Sequence, residues 1–190
     1  MPGVASFDVT DGAIAVHSPA DADPARVAAL LHDPVAAAAC AQRGHHVLSG
    51  DTVRLDDGRV VVVGRGPSVA LPPVAETLGE VVAPHWVGVA QRDGTWVVAD
   101  SGEPIAAVVV LQPIRGVLAE PTRGTERMRV LHQLDHVERF RLLPPTPEVR
   151  ARAFTTALGL AGAVPILRVH AAGRSAQDIA SAVRELLDAP

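Results

Sequence analysis

Short apolar runs separated by Gly, Pro and Asp fill most of the chain, and the spacing within each run distinguishes strand from helix. "GAIAVHS" (12–18) and "RVAALLH" (26–32) read as short buried strands with the acidic turn "PADADP" between them. "PVAAAACAQRG" (34–44) reads as a helix, with Asp33 as N-cap, Pro34 in the first turn and Gly44 as the stop. "HHVLSGD" is the next strand, and "TVRLDDGRVVVVG" a hairpin turning at Asp57-Gly58. "GPSVALPPVAETLGE" is broken by prolines and leaves room for one helical turn. "HWVGVAQRDGTWVVADSG" predicts a strand pair about Asp93-Gly94, and "PIAAVVVLQPI" (104–114) a strand buried on both faces. In "TRGTERMRVLHQLDHVERFRLL" the helical period sets Met128, Leu131, Leu134 and Val137 on one face. "TPEVRARAFTTALGLAGAV" predicts a helix from its Thr-Pro start, "PILRVH" a last strand, and "SAQDIASAVRELLDA" a helix capped by Ser175. The alternation predicts an α/β fold whose hairpins make the sheet mixed, in a single domain over 1–190 with a short strand region at 1–18.

Composition narrows the function classes. The chain has 190 residues, 48% hydrophobic, enough for one core. A net charge of -4 gives no basic field for nucleic acid or an anionic membrane. No apolar run reaches a membrane-spanning length and no signal peptide opens the chain, so a cytoplasmic protein is expected. All 17 basic residues are arginine, which excludes a Schiff-base lysine and a phosphate-loop lysine. Cys40, the one cysteine, lies in "AAAACAQ" and reads as a small buried residue.

Several segments, in order over about residues 12 to 187, resemble the C-terminal domain of HPr serine kinases and the wider HPr kinase-like proteins. "AVHS" is similar to the family's His-containing strand, and "RVAALLH" to the strand that feeds its phosphate loop. "AAACAQRGHHVLSGDTVRL" resembles its helix, Arg-Gly-His corner and following strand. "DDGRVVVVGRGPSVALPP", "PIAAVVVLQP" and "AGAVPILRV" resemble the next hairpin, the central strand and the C-terminal region. The resemblance implies a mixed sheet with flanking helices of the HPr kinase C-terminal (phosphoenolpyruvate carboxykinase-like) type, and an oligomer. It also implies a peptide or protein ligand rather than a free metabolite, because members of the family act on precursor peptides in bacterial natural-product pathways.

The departures from that family are chemical. Its loop reads Gly-x-Ser-Gly-x-Gly-Lys-Ser/Thr, whose amides cradle phosphates. "LLHDPVAAA" is about five residues too short for that loop. It has no glycine and no lysine, and Asp33 and Pro34 stand at the helix start. The family's first aspartate after the second strand is Gly50 here, and only Asp51 remains. The expectation is a degenerate, P-loop-deleted pseudokinase with no cofactor and no ATP-dependent activity, which binds or modifies a peptide. The alternative is a nucleotide-independent acid/base enzyme (isomerase, epimerase, cyclase or hydrolase) in the vacated cleft, with His17, His32, Asp33 and Asp51 as catalytic candidates and His45 or His46 beside them. Against it stand simple capping roles for Asp33 and Asp51 and solvated strand ends for the histidines.

Two further patterns carry chemistry. In "HQLDH", His132 and His136 have the i, i+4 spacing of a helical metal pair, a second alternative for a metal-dependent enzyme. Gln133 replaces the zincin base, and a solvated, ion-paired helix face explains the same residues. The run "RGTERMRV…ERFR" suits either anion capture or salt bridges with Glu126 and Glu138. Trp86 and Trp96 read as core partners or as an aromatic wall on a peptide-binding edge.

Overall fold

Strands and helices alternate around one large mixed sheet with helices on both faces, an α/β arrangement. The computed structural model describes residues 5–11, 13–65, 73–113, 115–116, 118–136 and 146–189. Val137 and the "ERFR" stretch lie outside the described residues.

The chain opens with β1 (Ser6–Thr10) and β2 (Ala13–His17), an antiparallel pair that forms a sheet of its own. Next come α1 (Pro24–Leu30), a π-helical turn at Leu31–Val35, and α2 (Ala36–Gln42). β3 (His46–Arg54) and β4 (Val60–Arg65) make the hairpin around Gly58, whose φ of 86° needs glycine. After α3 (Val74–Leu78) follow β5 (Glu80–Ala83), β6 (Trp86–Arg92) and β7 (Thr95–Val98). Asp93 and Gly94, both at positive φ, give the two-residue turn that the sequence predicts between β6 and β7. β8 (Ile105–Gln112), β9 (Ala119–Pro121), α4 (Thr125–His132), α5 (Pro147–Ala163), β10 (Ile166–His170) and α6 (Ala176–Asp188) complete the chain.

The large sheet runs β7-β6-β3-β4-β8-β10-β9, with β5 also on β3. Pairings of β8 with β4 and with β10 are parallel, and the others are antiparallel. Val108 and Val110 of β8 face a core closed by α4 and α5 through Val130, Leu131 and Leu160. Val109 and Leu111 face a second core, closed by α3 and α6 through Leu78, Ile179 and Val183. This two-sided burial explains the unbroken apolar run of β8. α2 covers the far end of the sheet, where Cys40 packs on Gly88 so closely that a Cβ at Gly88 would collide with its sulfur.

Two predicted elements are corrected. "GAIAVHS" does contain a strand, but β2 is largely exposed rather than buried, because it lies in a two-stranded sheet with β1, apart from the large sheet. Residues 26–32 are helical, not a strand. Asp23 caps this helix by accepting from the Ala25 N–H at 2.9 Å, and Pro24 fills its first position. Pro34 does not break it. The Ala36 N–H reaches back to the Leu31 carbonyl, and this wider turn accommodates a residue with no N–H of its own. Asp33 therefore lies inside a continuous helical path rather than at a helix start.

Candidate functional site

β5 and β6 together form one line antiparallel to β3, interrupted only at Pro84 and His85. His85 adopts φ 77°, an unusual value for a non-glycine residue. Its backbone is held on both sides of the kink. The His85 N–H donates to Asp51 Oδ1 at 3.0 Å, and its carbonyl accepts from the Gly50 N–H at 3.0 Å. Asp51 is buried in this role. β7 pairs with β6 but not with β5, so among the described residues β5 pairs with β3 alone.

A groove of about 780 Å³ runs along the line from β5 into β6. One shoulder is Ala29, His32 and Asp33 of the helix, and the other is the turn with Asp100, Ser101 and Glu103. Its wall includes Val82, exposed at 36%, and the half-buried indole of Trp86, whose Nε1 donates to the His32 carbonyl at 3.3 Å. Arg54 also lines the groove and is held by Glu103 at 2.7 Å and Glu80 at 3.1 Å. Trp96 is not its cross-strand partner. It pairs with Gln91, packs on Gly159 and belongs to the core.

Behind the helical shoulder lies a buried polar chain. At Leu48 the backbone of Asp135 bridges to β3, and the Ser49 N–H donates to the Leu134 carbonyl at 2.6 Å. This places His136, 3% exposed, with Nδ1 at 2.9 Å from Ser49 Oγ. Its Nε2 lies 3.6 Å from Asp33 Oδ1, an oxygen that is buried and has no hydrogen bond. With Ser49 donating to Nδ1, the ring keeps its proton on Nε2, facing the carboxylate. Asp33 is the half-buried, groove-lining member of this Asp–His–Ser chain. His46, on the same strand, is buried, with Nε2 unpartnered. Burial holds its pKa below the ordinary histidine value, and the charge of Asp135 opposes that shift.

The predicted candidates separate. His32 and Asp33 come to the groove, and Asp51 stands behind it as the brace of His85. His17 does not join them, because it lies exposed on the β1–β2 hairpin, 2.9 Å from Asp8. His45 approaches the Cys40 sulfur at 3.5 Å, and burial, followed by the charge of Asp100, pushes that thiol up to about 11. His132 and His136 do not share a helix face: α4 ends at His132, which is exposed, and His136 lies beyond the bridge to β3. Among the described residues no group of three or more His, Cys, Asp or Glu is placed to hold a metal ion. In the arginine run, Glu126 pairs with Arg129 at 3.1 Å and with Arg168 at 2.9 Å, the salt-bridge alternative.

Ser49 and Asp100 were not among the sequence candidates. The Ser49–His136 contact spans 87 positions, so no local spacing could announce it. A signal did exist for the helical shoulder in Asp23-Pro24, an N-cap followed by an N1 proline. Among the described residues no helix is long and apolar enough to cross a membrane. No family model, curated protein or solved structure matches the chain.

Proposed function

We propose that this chain captures an extended peptide by strand addition at β5, as a degenerate HPr kinase-like protein without ATP-dependent kinase activity that binds or modifies a peptide in a bacterial natural-product pathway. One observation carries the reading. Among the described residues β5 has a ladder partner on one edge only, beside a groove walled by Val82 and Trp86. An open edge supplies main-chain hydrogen bonds to an incoming strand, and the groove supplies side-chain pockets. The kinship rests on the helix, the Arg-Gly-His corner and the strands that follow it; the helical residues 26–32 contribute nothing to it. The nucleotide-free part of the reading is supported by the continuous helix at Asp33, where the Ala36 N–H bonds within the helix.

A displayed library of random peptides of about ten residues, selected on the purified protein, tests the capture. Enriched peptides should bind with affinities at least about tenfold weakened by Val82→Arg, with melting unchanged to within about 2 °C. Absence of enrichment, or binders indifferent to Val82→Arg, would refute strand capture. ATP with Mg²⁺ should leave the melting temperature in place, and a clear upward shift would overturn the nucleotide-free assignment.

A second reading, acid/base chemistry in the same groove, is favoured by the Asp33–His136–Ser49 chain. Asp33 would be the proton acceptor at the groove, His136 would orient it, and Ser49 would fix the ring tautomer. His136→Gln separates the two readings. Peptide binding should survive it, whereas turnover of a bound peptide, followed by mass spectrometry, should fall by about a hundredfold or more.

A further inference from the structure

Charge distribution along the groove narrows what the captured strand can be. Among the described residues three carboxylates line it, Asp33, Asp100 and Glu103, against one guanidinium, that of Arg54. With histidines counted as neutral, that lining carries a formal charge of −2 (one positive and three negative). Arg54 is already committed, with Glu103 on Nε and Nη2 and Glu80 on Nη1. Among the described residues, the charged or titratable group nearest to Asp33 is the imidazole of His136, at 3.6 Å. Asp100 is exposed and, among the described residues, has no ion pair. The same wall offers the indole of Trp86, a face that attracts cations.

An acidic strand would meet repulsion here, and a wholly apolar one would leave both carboxylates without a counter-charge. We infer that the segment captured at β5 carries an arginine or lysine side chain, received in the groove by Asp33 and Asp100 against the face of Trp86. Its flanking residues are apolar, matched to the exposed Val82 on the wall. This specificity rests on the strand-capture reading and adds a chemical identity to the occupant. Asp33 and Asp100 become its specificity-determining residues, and the helical shoulder becomes part of the recognition surface.

The displayed library that tests capture also tests this inference, with separate outcomes. Selection on the wild-type protein should enrich peptides with a central Arg or Lys over those with Asp or Glu. Selection on Asp100→Asn and on Asp33→Asn should lose much of that excess. For one enriched peptide synthesised free, replacing the basic residue by norleucine should weaken binding about tenfold or more, followed by quenching of Trp86. Raising salt from about 50 to about 500 mM should weaken the basic peptide and spare the norleucine one. Enriched peptides with no basic excess, or an excess untouched in both variants, would overturn the inference and leave strand capture standing. An empty selection would overturn both. Asp100 is exposed, so its variant keeps the test decisive even where Asp33→Asn melts early.

Discussion

His85 at φ 77° shows how much of this site is set by single residues. A non-glycine residue in that region costs on the order of 1–3 kcal/mol and persists only where its surroundings hold it. Asp51 and Gly50 do so here through hydrogen bonds to its N–H and carbonyl. His46 is a second single-residue control, this time on stability. Burial keeps its folded pKa below 6.5, and Asp135 only partly offsets this. Above about pH 6.5 both folded and unfolded chains hold this ring neutral, so its contribution is fully present. As pH falls below that value the unfolded chain takes a proton that the folded chain refuses, and stability drops by up to about 1.4 kcal/mol per pH unit until the folded pKa is reached. Burial lowers His45 as well, so the two histidines share this window. Urea unfolding at about pH 7.5, 6.5 and 5.5 should show this loss, and His46→Phe should flatten part of it. A slope identical in wild type and variant would assign the whole effect to other groups.

At the scale of elements, the site is made by where strands stop pairing. Among the described residues β3 pairs with β4 only from Gly50 onward, and in the gap before it the turn after α4 inserts Leu134 and Asp135. Gly50 is the hinge of that fork. A Cβ there would lie 2.6 Å from the Val63 carbonyl oxygen and 2.8 Å from Gly64 Cα, both backbone atoms with nowhere to move. Gly50→Ala should therefore cost about 2 kcal/mol or more in urea unfolding, and Gly50→Asp more again, without creating phosphotransfer. A Gly50→Asp variant as stable as wild type would mean that this fork does not exclude a side chain. The absence of an aspartate at position 50, which the sequence presents as a chemical loss, thus has a packing cause. The hairpins at Gly58 and Gly94 and the two C-terminal helices were legible because each is written in local turn and cap chemistry, whereas β5 and β9 were not read. The error at 26–32 is equally local in origin. "RVAALLH" is too short and too evenly apolar for periodicity to decide, and Pro34 argued for a break that the π-turn removes. The groove and the His136 contacts were illegible because β5, β6 and α4 meet β3 from far along the chain.

Across the whole molecule, burial is uneven in a way that bears on how the groove works. β8 is flanked by β4 and β10 and covered on both faces, with Val108, Val109, Val110 and Leu111 at 0% exposure. Within the described residues from 5 to 36, by contrast, Ala5 is the only buried residue. The hairpin, α1 and the π-turn are therefore attached by partly exposed contacts, such as Gln42 Nε2 to the Val9 carbonyl at 2.9 Å and Trp86 to His32. Local opening free energies follow such differences, so amides of the hairpin and α1 should exchange with deuterium orders of magnitude faster than those of β8 at about pH 7. Since α1 and the π-turn supply Ala29, His32 and Asp33 to the groove, a bound basic peptide should slow exchange there while leaving β8 unchanged. Mass spectrometry of the exchanged protein, with and without an enriched peptide, checks both expectations. Uniform protection from residue 5 to β10 would show that the shoulder is as firmly held as the sheet. A peptide that protects only β5 would place the ligand on the strand edge without the helix, and Asp33 would then have no part in its recognition.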